Sequence, residues 1–228
     1  MNKLYKKLEN FTTSSAIKIE NSDPQFLSLK KLFNEIKNKK FFLPLIIANS
    51  LICYQLSGKG ENYWEEFAVF FGKNPVDEKN FLEAFEKFLN GCKNNRRLLK
   101  IKFFRLKKFF PFLKKFSEQE KFFYDNLEIF LEEIAKIMCQ KKSAKTIVFA
   151  VKMFGYGGRI FFGEEKIFPK NIKIPIDSRL EKIFEKYGKN YKNSKNFFEN
   201  LSEKLQIPEL HLDAILWVNF KEIIKITK

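Results

Sequence analysis

The chain has 228 residues, of which 45% are hydrophobic, and carries a formal net charge of +16 with a pI near 9.6. That length suits one compact unit or two small lobes around a shared core, and the apolar content argues against a disordered chain. The charge makes a polyanion the first partner to consider, through counterion release, although a genome biased toward AT-rich codons equally explains an excess of Lys, Phe, Asn and Ile. Three cysteines (Cys53, Cys92 and Cys139) and one histidine (His211) are too few, and too widely spaced, for a zinc site or an iron–sulfur cluster. Their sparse, odd number fits a reducing cytoplasm. The segment Met1–Asn10 alternates Lys with apolar residues and has no signal-peptide core. No apolar run approaches the roughly 18 residues of a membrane span. The nearest, Phe41–Leu56, is interrupted by Asn49, Ser50 and Gln55 and reads as a buried core helix.

In chain order the pattern is helical nearly throughout, so the fold class is all-α. Asp23-Pro24 opens a helix by cap and first-turn logic, and Phe26, Leu29, Phe33 and Ile36 follow at helical spacing. A second helix runs over Leu43–Tyr54 and stops at the turn Ser57-Gly58-Lys59-Gly60. A third extends from Glu61 to Gly72, and Phe81–Leu89 makes a fourth. Arg96–Phe109 is basic and amphipathic, and Pro111 breaks it. Gln119–Met138 reads as one long amphipathic helix, followed by the polar turn Cys139–Ser143 and a helix over Ala144–Phe154. Gly155, Gly157, Gly158 and Gly163 predict a loop, and Lys166–Ile174 is the one plausible strand. A short helix follows Asp177, Ser194 is a candidate cap, and Pro208 starts the last helix. There is no internal repeat and no long linker.

The turn Cys139–Ser143 joins two helices with few residues, and Ser143 is placed to cap the second. Backbone N–H groups at such a start can hold a phosphate, although any all-helical protein has connections of this kind. On the second helix Lys145, Phe149 and Lys152 stand at i, i+4 and i+7 and so share a face. Either they place a base ring beside an amine, or Phe149 is a core-boundary residue between two solvated lysines. Asp177, after Pro175 and Ile176, is a helix cap or a carboxylate held against a developing cation. Asp213 and Trp217 form another i, i+4 pair, and Trp64 follows the glycine turn. Each tryptophan is a core residue or a stacking surface, and a pocket for a flipped base needs both aromatic faces and polar atoms for the base edge.

Ala144-Lys145-Thr146-Ile147-Val148-Phe149, followed by Pro175-Ile176-Asp177, resembles the lysine-plus-aspartate signature of bifunctional helix-hairpin-helix DNA glycosylases. Lys145 and Asp177 stand 32 positions apart, a longer gap than in the general superfamily and similar to its archaeal 8-oxoguanine DNA glycosylase branch. Asp23-Pro24-Gln25 resembles the early glutamine motif of that branch, Tyr54–Trp64 its glycine turn and tryptophan, and Ile207–Trp217 its C-terminal helix. The resemblance covers about Asp23 to Trp217. One departure is the hairpin turn, Cys139-Gln140-Lys141-Lys142-Ser143, which lacks the Gly-x-Gly of the wider superfamily.

The resemblance implies two helical lobes with the pocket in a cleft between them: about 45–150, with the hairpin near 128–154, and 1–44 plus 155–228. It implies Lys145 as the Schiff-base nucleophile and Asp177 as the catalytic carboxylate. Phe149 and Trp217 would sandwich the base, and Gln25, Cys53, Trp64, Lys152, Pro175 and Asp213 would line the pocket. The expected activity is excision of 8-oxoguanine through the Lys145 Schiff base, then strand cleavage by β-elimination, with no metal or organic cofactor. The expected partner is DNA containing 8-oxoguanine or abasic sites, bound by a cytoplasmic monomer with no membrane attachment. Two rivals are a non-catalytic helix-hairpin-helix module and a basic RNA-associated scaffold, neither of which forms a covalent imine.

Overall fold

The computed structural model describes residues 2–225; Met1 and residues 226–228 lie outside that range. Among the described residues every regular element is helical. The chain forms α1 (Asn2–Leu8), α2 (Thr13–Asn21), α3 (Pro24–Glu35), a 3-10 turn at Lys39–Phe41, α4 (Phe42–Ile52), α5 (Gly60–Lys73), α6 (Phe81–Gly91) and α7 (Leu99–Phe109). It continues with α8 (Phe112–Glu118), α9 (Glu120–Asp125), α10 (Leu127–Met138), α11 (Lys145–Phe162), α12 (Ser178–Tyr187), α13 (Ser194–Leu205), α14 (Glu209–Val218) and α15 (Phe220–Ile224). Two compact units result, Met1–Asp23 with Ile167–Lys228, and Pro24–Lys166. The expected divisions near 45 and 150 fall elsewhere, because α3 packs along α5 and α11 runs unbroken to Phe162.

In the larger unit, all of α4 is buried, which suits its apolar sequence. No helix among the described residues is long and apolar enough to cross a membrane. Rings of α5 and α6 interlock, with centroids 4.9 Å apart for Phe71–Phe85 and 5.4 Å for Phe71–Phe88. Each such buried ring contributes about 1.5–3 kcal/mol by leaving water. The glycines expected to form a loop after Phe154 instead continue α11 as far as Gly163. They are approach points: a Cβ at Gly157 would meet Ile46 Cδ1 of α4 at 2.7 Å, and one at Gly158 would overlap the Tyr124 ring. The expected long helix over Gln119–Met138 is divided at Asn126. Its side-chain amide donates to the Phe122 carbonyl at 2.9 Å, a local bond that competes with the helical ladder.

The smaller unit has its own core, which includes Leu4, Leu8, Leu180, Phe197, Leu201, Leu212 and Leu216. α2, which the sequence does not announce, starts in a capping box. Thr12 Oγ1 accepts from Ser15 N, and Ser15 Oγ accepts from Thr12 N. α13 is capped by Asn193, whose Oδ1 accepts from Asn196 N at 3.0 Å, whereas Ser194 instead donates to Glu181. The segment Lys166–Ile174 is not a strand. No neighbouring strand offers it a ladder, and side chains take that role: Phe168 N–H donates to His211 Nε2 at 3.0 Å, and Ile174 N–H to Glu209 Oε2 at 2.8 Å.

His211 thus accepts at Nε2 and carries its proton on Nδ1, 2.7 Å from Glu20 Oε1, with both side chains fully buried. The pair fastens α14 to α2 and to the segment that leads to Asp177. His211→Phe removes one hydrogen bond from Glu20 and one from the Phe168 amide. Taking the partner from a buried donor or acceptor in this way costs about 1–3 kcal/mol for each group. Urea titration of the variant is expected to show a midpoint lowered accordingly with an unchanged slope; an unmoved midpoint would show that the pair does not hold the fold.

Candidate functional site

In the larger unit the site candidates gather around the start of α11. α10 ends at Cys139, which takes the left-handed conformation (φ 51°), and Gln140 N–H bonds back to the Ala135 carbonyl at 2.9 Å. The chain then turns to Ala144, the N-cap of α11, which supplies no side-chain cap. Ser143 therefore does not serve as the expected cap. Lys145 is the first helical residue and is exposed. Phe149, one turn on, is partly buried, with its ring 6.3 Å from that of Trp64 at an interplanar angle of 60°. Lys152, on the same face, is 3% exposed with its ammonium 5.5 Å over the Tyr156 ring, so it is not a solvated lysine. This face of α11 passes from solvent at Lys145 into the protein at Lys152.

Trp64 is fully buried on α5. Cys53 caps the C-terminus of α4 and is partly buried. Burial pushes its thiol up to about 12, opposed by the Trp64 indole, Lys102 and Lys145, so at neutral pH it is a small neutral group. Gln25 is buried at the second position of α3, and its amide lies beside Gly60, the first residue of α5; a Cβ there would stand 3.6 Å from Gln25 Nε2. Cys53, Trp64, Phe149 and Lys145 are thus gathered, and the Gln25 amide, carried on α3, lies beside the first residue of the helix that carries Trp64.

In the smaller unit, Pro175 is buried and Asp177 caps α12. Asp177 Oδ1 accepts from both Arg179 N and Leu180 N at 2.9 Å, so one oxygen carries the whole cap. Asp213 and Trp217 lie one turn apart on α14, the first buried and the second partly exposed. The Arg179 guanidinium lies 4.0 Å from the centroid of the Trp217 ring, covering one face.

Two residues of this environment escape the sequence reading, Arg105 and Arg179. Arg105 bonds the turn before α11 through Gln140 Oε1 at 2.9 Å, and Thr146 Oγ1 at 3.0 Å. The available signal is composition: arginine occurs five times among 43 basic residues. In a chain this rich in lysine, an arginine marks places where a planar fork of donors is used.

The larger unit offers an exposed primary amine at a helix start, two aromatic rings and a buried amide; the smaller unit, by itself, offers a capping carboxylate and the Trp217 ring. A family model described as AGOG: N-glycosylase/DNA lyase matches residues 5–227. The chain is 43% identical over 200 residues to the N-glycosylase/DNA lyase of Thermococcus kodakarensis, covering 87% of this chain and 75% of that one. It is 40% identical to the protein of the same description from Methanococcus maripaludis, covering 87% and 78% of the two chains. It is also similar to the crystal structure of 8-oxoguanosine-complexed Pa-AGOG, the 8-oxoguanine DNA glycosylase from Pyrobaculum aerophilum. That similarity has a TM-score of 0.83 at 22% identity over 96% of this chain and 87% of that one, a likeness of fold.

Proposed function

Since the chain belongs to the AGOG family of N-glycosylase/DNA lyases, we propose that its substrate base is 8-oxoguanine and that Lys145 is its nucleophile. The enzyme acts on DNA as a repair glycosylase and lyase. The observation that carries the proposal is the placement of an exposed amine, Lys145, at the start of the helix whose same face carries Phe149 against Trp64. C1′ of a damaged nucleotide is shielded in a duplex, so the nucleotide is first flipped out, at a cost of a few kcal/mol. The Lys145 amine, neutral when it attacks, bonds to C1′ as the C1′–N9 bond breaks and the base leaves. Asp177 faces the positive charge that develops on the sugar. Ring opening gives the imine between Lys145 and C1′; loss of a C2′ proton then expels the 3′-phosphate and cuts the strand. Borohydride reduction of that imine on damaged duplex is the direct test. We also propose that the enzyme works as a monomer in the cytoplasm with the chromosome.

Stacking and edge reading divide between different residues. The rings of Phe149 and Trp217 are stacking surfaces that any purine can use. Selectivity comes from polar atoms, because 8-oxoguanine carries hydrogen on N7, where guanine has an acceptor. Gln25 Oε1 or the Pro175 carbonyl accepts from that hydrogen, and Asp213 accepts from the Watson–Crick edge, with Lys152 and Cys53 completing the lining. A normal guanine leaves such a buried acceptor unpaired, which is the basis for rejecting it. Phe149→Ala is expected to weaken capture of any flipped purine by about 1–3 kcal/mol. Gln25→Ala and Asp213→Ala are expected to lower single-turnover excision of 8-oxoguanine while sparing cleavage at a pre-formed abasic site, where no base remains to be read. Equal loss of both activities in Asp213→Ala would assign Asp213 to the fold or the catalytic centre instead.

A further inference from the structure

α11 begins with neither of the usual restraints on a hairpin helix. Its N-cap, Ala144, makes no side-chain bond, and the turn before it has no Gly-x-Gly. The restraint comes from α7. Arg105 is partly buried, and its guanidinium uses all three nitrogens. Nε donates to the Leu51 carbonyl, in the last turn of α4, at 2.8 Å. Nη1 donates to Gln140 Oε1 at 2.9 Å, and Nη2 to Thr146 Oγ1 at 3.0 Å. The Thr146 hydroxyl in turn donates to the same Gln140 Oε1 at 3.2 Å, which closes a triangle across the turn. The Tyr54 ring lies 5.6 Å from the guanidinium carbon.

We infer that Arg105 is a positioning residue for the nucleophile, fixing the first turn of α11, and so Lys145, against the end of α4. The inference rests on the reading of Lys145 as the nucleophile. Arg105 acts through Gln140 and Thr146, and its bond to Leu51 ties the same point to the segment that presents Cys53. Three donors pointing in three fixed directions are what the triangle and the Leu51 carbonyl require. A lysine in its place brings one ammonium that cannot reach all three acceptors.

Nucleophilic attack is sensitive to placement: a shift of about 1 Å costs on the order of 100-fold. The experiment measures borohydride trapping and single-turnover cleavage at a pre-formed abasic site, each against enzyme concentration. Arg105→Ala is expected to lower the maximal rate of both about 10- to 100-fold while leaving the half-saturating concentration nearly unchanged. Arg105→Lys keeps the charge without the fork and is expected to remain impaired. Millimolar guanidinium ion is expected to restore part of the Arg105→Ala rate. A residue needed only for stability would lower the melting temperature and the active fraction, not the maximal rate per active site, and would not be rescued. Gln140→Ala and Thr146→Val each remove one side of the triangle and are expected to slow the same step, non-additively with Arg105→Ala. A folded Arg105→Ala protein that traps at the wild-type maximal rate overturns the inference. Should that variant fail to fold, wild-type rates in both Gln140→Ala and Thr146→Val overturn it. A failed nucleophile assignment looks different, because Lys145→Gln would then continue to trap.

Discussion

Lys145→Gln is expected to bring base excision, strand cleavage and borohydride trapping to background while leaving binding to damaged DNA largely intact. The structure makes this a clean substitution. Lys145 is exposed at the first position of α11, so a side chain of similar polarity there changes stability by about 0.5 kcal/mol or less. The amide of Gln has no nucleophilic lone pair, so the covalent route is lost outright and not merely slowed. Lys152 is no substitute, since it is buried over the Tyr156 ring two turns further into the helix. The measurement is single-turnover excision and trapping with a duplex containing one 8-oxoguanine, alongside a binding isotherm at one salt concentration. A trapped adduct at wild-type level in the Gln variant would assign the chemistry to another lysine or to the terminal amine.

How much of this was legible in the sequence depends on how far apart the deciding residues lie. Local signals sufficed for the helix opened by Asp23-Pro24, for the buried α4 and for the alignment of Lys145, Phe149 and Lys152. Signals with two meanings failed. Gly157 and Gly158 are loop-formers by propensity, and only Ile46 of α4 and Tyr124 of α9, both remote in sequence, make them approach points inside a helix. Asn126 divides a periodic apolar pattern through one local bond that periodicity does not report. The cap at α2 uses Ser15 where a glutamate or glutamine is the usual signal, and the element was missed. Arg105 was missed because its partners stand 54, 35 and 41 positions away. The carboxylate was the opposite case. Asp177 was legible both as a cap and as a catalytic group, and only chemistry separates the two.

Asp177→Asn is expected to slow excision about 100-fold or more while leaving α12 in place. The cap itself is tolerant of the change. Both bonds from Arg179 N and Leu180 N end on Oδ1, and asparagine retains a carbonyl oxygen that can accept them. Asn and Asp rank equally as caps, so what is lost at the helix is the carboxylate's attraction to the N-terminal dipole, about 0.3–1 kcal/mol. The charge is a separate matter. As the glycosidic bond breaks, the sugar becomes cationic, and removing one group preorganised to face a developing charge typically costs about 100- to 1,000-fold in rate. Cleavage at a pre-formed abasic site has no such bond to break, so it is expected to suffer less than excision. Asp177→Ala serves as the companion, because it removes the charge and the cap together and adds about 1 kcal/mol of destabilisation. If Asp177 only caps α12, the Asn variant excises 8-oxoguanine at the wild-type single-turnover rate and only Ala is impaired. If it faces the sugar, Asn and Ala are slowed alike in excision, and only Ala loses stability beyond the dipole term.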